Sequence, residues 1–178
     1  MTDEESLADS IPVDLRALAR RDARVSGRSA LAAMPRLAAA LHEAPGARQA
    51  QWTLHGSLRA LPGGGSQPMA ELTVRAVLPL QCQRCLRTVE EPIDERALFR
   101  LVDVEPELSD EELEAEDEAL CADAPVVLRE LVEDQLILAL PLVPMHAACE
   151  PPAAPEPADA SPDASPFAVL QRLRSTKR

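Results

Sequence analysis

Aromatic residues are almost missing from this chain of 178 residues, which holds one Trp, no Tyr and two Phe. Trp52, Phe99 and Phe167 are too few to build a platform that stacks single-stranded bases. Lysine is scarcer still: Lys177 stands alone among 18 basic residues. That Arg excess reads as a coding bias, not as a functional signal. No apolar run reaches the roughly 20 residues of a membrane span. The longest, Leu136 to Met145, is broken by Pro141 and Pro144. The N-terminus, MTDEES, is acidic and lacks the basic-then-apolar order of a secretory signal. These absences predict a cytoplasmic protein without membrane contact. Four cysteines are too few for a disulfide scaffold at this length.

What is present suits about one domain. Hydrophobic residues make up 46%, but 30 of them are Ala, and Val, Ile, Leu and Phe together total 43. The core should therefore be modest and built from Leu. The net charge of −12 is unevenly spread. Asp103 to Glu118 holds ten acids and no base, which leaves the rest of the chain at only −2. Residues 14–36 carry a balance of +4, from Arg16, Arg20, Arg21, Arg24, Arg28 and Arg36 against Asp14 and Asp22. The tail 166–178, with Arg172, Arg174, Lys177 and Arg178, is also at +4. The mean charge excludes a general polyanion binder; the distribution gives two basic arms and one acidic segment.

Along the chain, residues 1–10 read as a disordered end. Short helices are expected over Ile11–Arg20 and Ala30–Leu41, the second disturbed by Pro35. Apolar and polar residues alternate from Gln49 to Ala60 and again from Ala70 to Leu78, around a Gly-rich break at Leu61–Ser66. That pattern predicts an antiparallel hairpin. Leu86–Val89 and Ile93–Val102 offer a third, interrupted strand, with Pro92 marking an edge or bulge. The acidic stretch 103–124 reads as a solvated loop or exposed helix, or as a docking site for a basic protein. From Pro125 to Leu140, Leu128, Leu131, Val132, Leu136 and Ala139 recur at helical spacing, while Arg129, Glu130, Glu133 and Asp134 face away. Asp123 stands near the N-cap and Pro141 stops the helix. Residues 150–165 are a Pro/Ala-rich flexible linker. In the tail 166–178, Phe167, Leu170 and Leu173 form one stripe of a short basic amphipathic helix.

The predicted fold is thus α+β: a small antiparallel sheet covered by helices over residues 11–149, with a flexible linker and a basic tail behind it.

Two motifs carry chemistry. Cys82-x-x-Cys85 follows the second strand, and His146-x-x-Cys149 follows the long helix. Each pair has the spacing by which one turn offers two ligands to a tetrahedral ion, together three Cys and one His for structural zinc. The pairs lie about sixty residues apart, so two unrelated thiol pairs in loops remain the alternative. A redox role needs a helix N-terminus to lower a thiol pKa, and none opens at Cys82. Cys121 is a spare thiol. His42 and His55 have no nucleophile in sight, and Gly63-Gly64-Gly65 has no Lys after it to make a phosphate loop. No enzyme is expected.

Three stretches together resemble a known family. They are Leu80-Gln81-Cys82-Gln83-Arg84-Cys85, the run Leu131 to His146 (LVEDQLILALPLVPMH), and Ser165-Pro166-Phe167-Ala168-Val169-Leu170. Their order and spacing resemble the YceD family, the large ribosomal RNA subunit accumulation proteins. The resemblance implies a part in synthesis, processing or stability of 23S ribosomal RNA in the bacterial cytoplasm. It also implies a CxxC and a later His/Cys pair at Cys82, Cys85, His146 and Cys149. The expected partner is large-subunit ribosomal RNA or a basic ribosomal protein, and not DNA. The basic arms supply the candidate contacts: Arg16, Arg20 and Arg21 in one, Phe167, Leu170, Arg172, Arg174 and Lys177 in the other. The alternative is a zinc-dependent protein-interaction module that never touches RNA.

Overall fold

The structure, a computed structural model, describes residues 10–107 and 109–153, with Glu111 described by its backbone only. The distal linker from 154 and the tail, with Phe167, Leu170, Arg172, Arg174 and Lys177, lie outside the described residues, as do residues 1–9.

The described chain is mostly β. Its elements are β1 (Pro12–Val13), α1 (Leu15–Arg20), β2 (Arg24–Ala30), a 3-10 turn (Leu31–Ala33), α2 (Pro35–Ala40), β3 (Gln49–Ala60), β4 (Ser66–Gln81), β5 (Thr88–Val102), α3 (Asp110–Leu113), β6 (Glu118–Cys121), β7 (Val126–Val127) and α4 (Leu128–Leu138). A five-stranded sheet runs in the order β2-β3-β4-β5-β6, and β1 pairs with β7 in a second, two-stranded one. The first four strands of the large sheet are antiparallel; β6 runs parallel to β5.

The expected α+β fold, a small sheet covered by helices, is therefore corrected to a sheet that is the body of the molecule. The cause lies in strand length. β4 spans 16 residues and β5 spans 15, because both run through prolines that sequence reasoning treats as breaks. Pro92 sits where β6 does not reach β5, since β6 pairs only with Phe99–Val102. Pro68 likewise lies one residue before β4 begins to pair with β5. At such edges a missing N–H removes no ladder bond. β2, with the sequence RVSGRSA, has too little apolar alternation to be seen as a strand, yet it pairs with β3 over its full length.

One face of the sheet is covered. Leu54, Leu72, Val74, Leu78 and Leu101 bury there against Leu15, Leu37, Val132 and Leu136 from the helices. Eight of the eleven largest fully buried side chains are Leu, the composition the sequence predicts. Helix α1 is capped by Asp14, whose carboxylate accepts from the Ala17 N–H at 2.8 Å. It lies so close on β3 that a Cβ at Gly56 would stand 2.5 Å from the Ala19 nitrogen. The expected helix over Ala30–Leu41 splits into a 3-10 turn and α2, which begins at Pro35. Helix α4 begins at Leu128, not near Asp123, because Val126 and Val127 pair with Val13 and Pro12.

Helix α4 also contradicts its outward reading at one position. Glu133 is 3% exposed. Its carboxylate accepts the backbone N–H groups of Arg36 at 2.7 Å and Leu37 at 3.0 Å, in the first turn of α2. The Arg36 guanidinium lies 3.1 Å from the same carboxylate and 2.5 Å from Asp134. Thus Glu133 closes the open end of α2 and ties it to α4.

Candidate metal centre

Strands β4 and β5 form a hairpin whose tip is Cys82 to Arg87. The Cys82 N–H donates to the Arg87 carbonyl at 2.9 Å, and the Leu86 N–H donates to the Cys82 carbonyl at 2.9 Å. Those two bonds curl the tip around the sulfur of Cys82. They also force Leu86 to φ +62°, a left-handed conformation that is costly for a branched side chain. After α4, the chain turns at Pro141 and runs back to the tip. There the Gln83 N–H donates to the Pro144 carbonyl at 2.9 Å. That bond places His146 and Cys149 against the tip.

The outcome is one cluster. The ligand atoms of Cys82, Cys85, His146 and Cys149 all lie within 4.8 Å of one another. The sulfurs of Cys82 and Cys149 are 3.7 Å apart, and the Cys85 sulfur is 3.4 Å from Nδ1 of His146. A tetrahedral zinc would hold two sulfurs about 3.8 Å apart and a sulfur and a nitrogen about 3.5 Å apart. A disulfide would require about 2 Å, and all four cysteines are free. Cys82 and Cys85 are buried, His146 and Cys149 half-buried.

The electrostatics favour a cation. Burial pushes the Cys82 thiol up, but the backbone N–H groups of Cys85, His146 and Arg84 together outweigh it and bring the thiol down to about 5. The Arg87 N–H lowers Cys85, against burial, and the Arg87 side chain adds to this. Cys149 is pushed up, first by burial and then by the neighbouring sulfurs. Hydrogen bonds to Cys82 and Cys85 raise the His146 imidazole. Three sulfurs this close cannot all carry charge unless a cation joins them, so the donor set fits a soft divalent metal. Arg87 supplies a further positive charge beside Cys85, and Arg84 lies 3.5 Å from the Cys149 carbonyl. Both Arg residues flank Cys85 in the sequence, and sequence reasoning passes over them because Arg is common throughout this chain.

The other expected contact residues are dispersed. Arg16 donates from Nε to the Ala122 carbonyl at 3.0 Å and pairs with Asp103 at 2.8 Å. Arg20 faces Asp14 at 3.8 Å, and Arg21 is exposed. Cys121 is exposed on β6, away from the cluster. The acidic segment supplies ion pairs within the chain: Asp117 accepts from Arg59 at 2.5 Å and from Arg100 at 3.0 Å, and Glu112 also pairs with Arg100. No helix among the described residues is long and apolar enough to cross a membrane.

Comparison with curated proteins and with solved structures returned no match. A family model described as "Large ribosomal RNA subunit accumulation protein YceD" does match, over residues 70–174. The matched region takes in β4 from Ala70 onward, the hairpin tip, β5, α4 and all four residues of the cluster. It covers more than half of the chain, so the protein belongs to the YceD family, whose name ties it to the accumulation of large-subunit ribosomal RNA.

Proposed function

We propose that this protein is a non-catalytic cytoplasmic factor in the synthesis, processing or stability of 23S ribosomal RNA, with a structural zinc at Cys82, Cys85, His146 and Cys149. Family membership over residues 70–174 carries the ribosomal part of this reading. The zinc part rests on the convergence of four ligand atoms within 4.8 Å and on two of their separations, 3.7 Å and 3.4 Å, which match edges of a tetrahedral site. Four protein ligands fill such a site and leave no open position for water or substrate, as in structural rather than catalytic zinc centres. The zinc would clamp the tip of the β4–β5 hairpin to the segment after α4 and so fix these two distant parts of the matched region together.

The test is the ratio of 23S to 16S ribosomal RNA in cells lacking the protein. A selective fall in 23S, restored by the intact gene and not by Cys82→Ser, is the expected result. An unchanged ratio overturns the reading. A second reading, a zinc-held module that binds protein and never RNA, is favoured by the apolar residues exposed beside the cluster: Leu142 is fully exposed, and Leu138, Val143 and Met145 are exposed as well. Under that reading the purified protein does not bind RNA.

A further inference from the structure

The helices cover one face of the large sheet and leave the other open. Register places its outward side chains in rows. Arg28, Gln51, Arg75 and Asp94 form one row, and Ser26, Thr53, Thr73 and Arg96 the next. Arg24, His55, Glu71 and Leu98 form a third. Beyond them lie Arg59 and Arg100, toward the other end of the face.

The two ends differ in how their cations are used. At the far end, Asp117 bridges Arg59 and Arg100 across β4, Glu112 adds a second acid, and Met69 beneath them is 2% exposed. The acidic segment thus covers and neutralises that end. At the near end, Arg24 and Arg28 are exposed, and among the described residues no ion pair engages either of them. Arg75 pairs with Asp94 at 3.0 Å, with both side chains about two-thirds exposed, an arrangement readily exchanged for another anion. A cleft of about 280 Å³ opens here, lined by Arg28 and Arg75 with Ser26, Thr53, Thr73 and Gln51, and floored by Gly27 and by Trp52, whose side chain is 4% exposed and so offers no open ring face.

We propose that this end of the open sheet face, around Arg24, Arg28 and Arg75, is a contact surface for the phosphodiester backbone of RNA. The proposal rests on the ribosomal reading above and adds to it the surface that touches the RNA. Guanidinium forks beside hydroxyls and an amide suit phosphate and ribose oxygens. Among the described residues, the large apolar side chains on this face are Val77, exposed, and Leu98, half-buried, with no exposed aromatic, so it lacks the anchors on which a protein partner would depend. Arg24 and Arg28 stand about 13 Å apart along β2, and Arg28 and Arg75 about 10 Å apart across two strands, a span of several phosphates. Without stacking aromatics, the surface reads backbone shape and not base sequence.

The test is fluorescence anisotropy of the full chain with a fluorescein-labelled double-stranded RNA stem-loop over a KCl series. The wild type should bind, with affinity that falls as salt rises. Arg24→Gln with Arg28→Gln should weaken binding about tenfold or more near physiological salt and flatten the log–log salt slope by about 1.5. The matching Lys pair should keep the slope. Asp94→Asn, which frees Arg75, should tighten binding several-fold, a gain that a misfolded variant cannot mimic. The pair Arg20→Gln with Arg21→Gln, on and next to α1, should change little. The proposal is overturned if the Arg24/Arg28 variant binds like wild type, or if the wild type does not bind the stem-loop. Since the 23S to 16S ratio is read in cells without reference to this surface, a normal loss of 23S beside absent RNA binding would sink the proposal alone.

Discussion

Cys82 shows how much one residue decides here. Its sulfur is buried, receives backbone N–H groups from both halves of the site, and lies 3.7 Å from Cys149. Under the proposed zinc site, elemental analysis of purified protein should find about one zinc per wild-type chain and below about a tenth for Cys82→Ser, whereas His146→Cys should retain the metal as a four-sulfur site. Leu86 carries the opposite expectation. It is half exposed and held at φ +62°, so Leu86→Gly should relieve backbone strain and raise stability by about 1 kcal/mol in urea denaturation. Asp117 gives the acid-side dependence. Burial would push its carboxyl up, but Arg59 and Arg100 outweigh burial and hold it below the usual carboxylate range. Its folded pKa is depressed, so its contribution is fully present above the unfolded value near 3.8 and is lost as pH falls below that. Asp117→Asn should cost about 1–3 kcal/mol at pH 7 and flatten the loss of stability as pH falls below about 4, seen by thermal melts across pH.

At the level of elements, helices this short are held by tertiary contacts and not by propensity. Helix α2 has six residues and no side-chain cap of its own; Glu133 on α4 supplies the acceptor from 97 residues away. Glu133→Ala should therefore cost about 2–3 kcal/mol, and Glu133→Gln less, since one oxygen remains to accept an N–H. Hydrogen exchange should show α2 losing protection before the β4–β5 ladder does. Periodicity is legible in β3, β4 and α4, where one side is buried and the other is not. It misplaces Glu133 because helical spacing alone treats every charge as outward. It misses β2 because two Arg, two Ser and a Gly hide a strand whose partner, β3, supplies most of the buried surface.

The whole molecule depends on bringing the hairpin tip to the end of α4. Chelation of the proposed zinc should lower Tm by about 10 °C or more and loosen residues 141–149 first, checked by calorimetry and hydrogen exchange with and without EDTA. A Tm indifferent to chelation would remove the structural role of the metal. The charge map is also a property of the whole. Ten acids between Asp103 and Glu118 look like a solvated run in sequence, yet Asp103, Glu112 and Asp117 are partners for Arg16, Arg59 and Arg100. Which cations remain for a partner is thereby decided at long range.

The sequence by itself determined the Leu core, the hairpin around its Gly-rich turn, the identity of the four candidate ligands and the family. Each is a local pattern or a fixed spacing, readable without knowing what lies across the fold. Only the tertiary structure decided that the sheet outweighs the helices, that Glu133 turns inward, that two ligand pairs some sixty residues apart converge, and that Arg24 and Arg28 form no ion pair among the described residues. All four outcomes depend on pairing between distant segments. Strand register, burial and charge neutralisation belong to the two sides of a contact together, and one segment carries no record of the other.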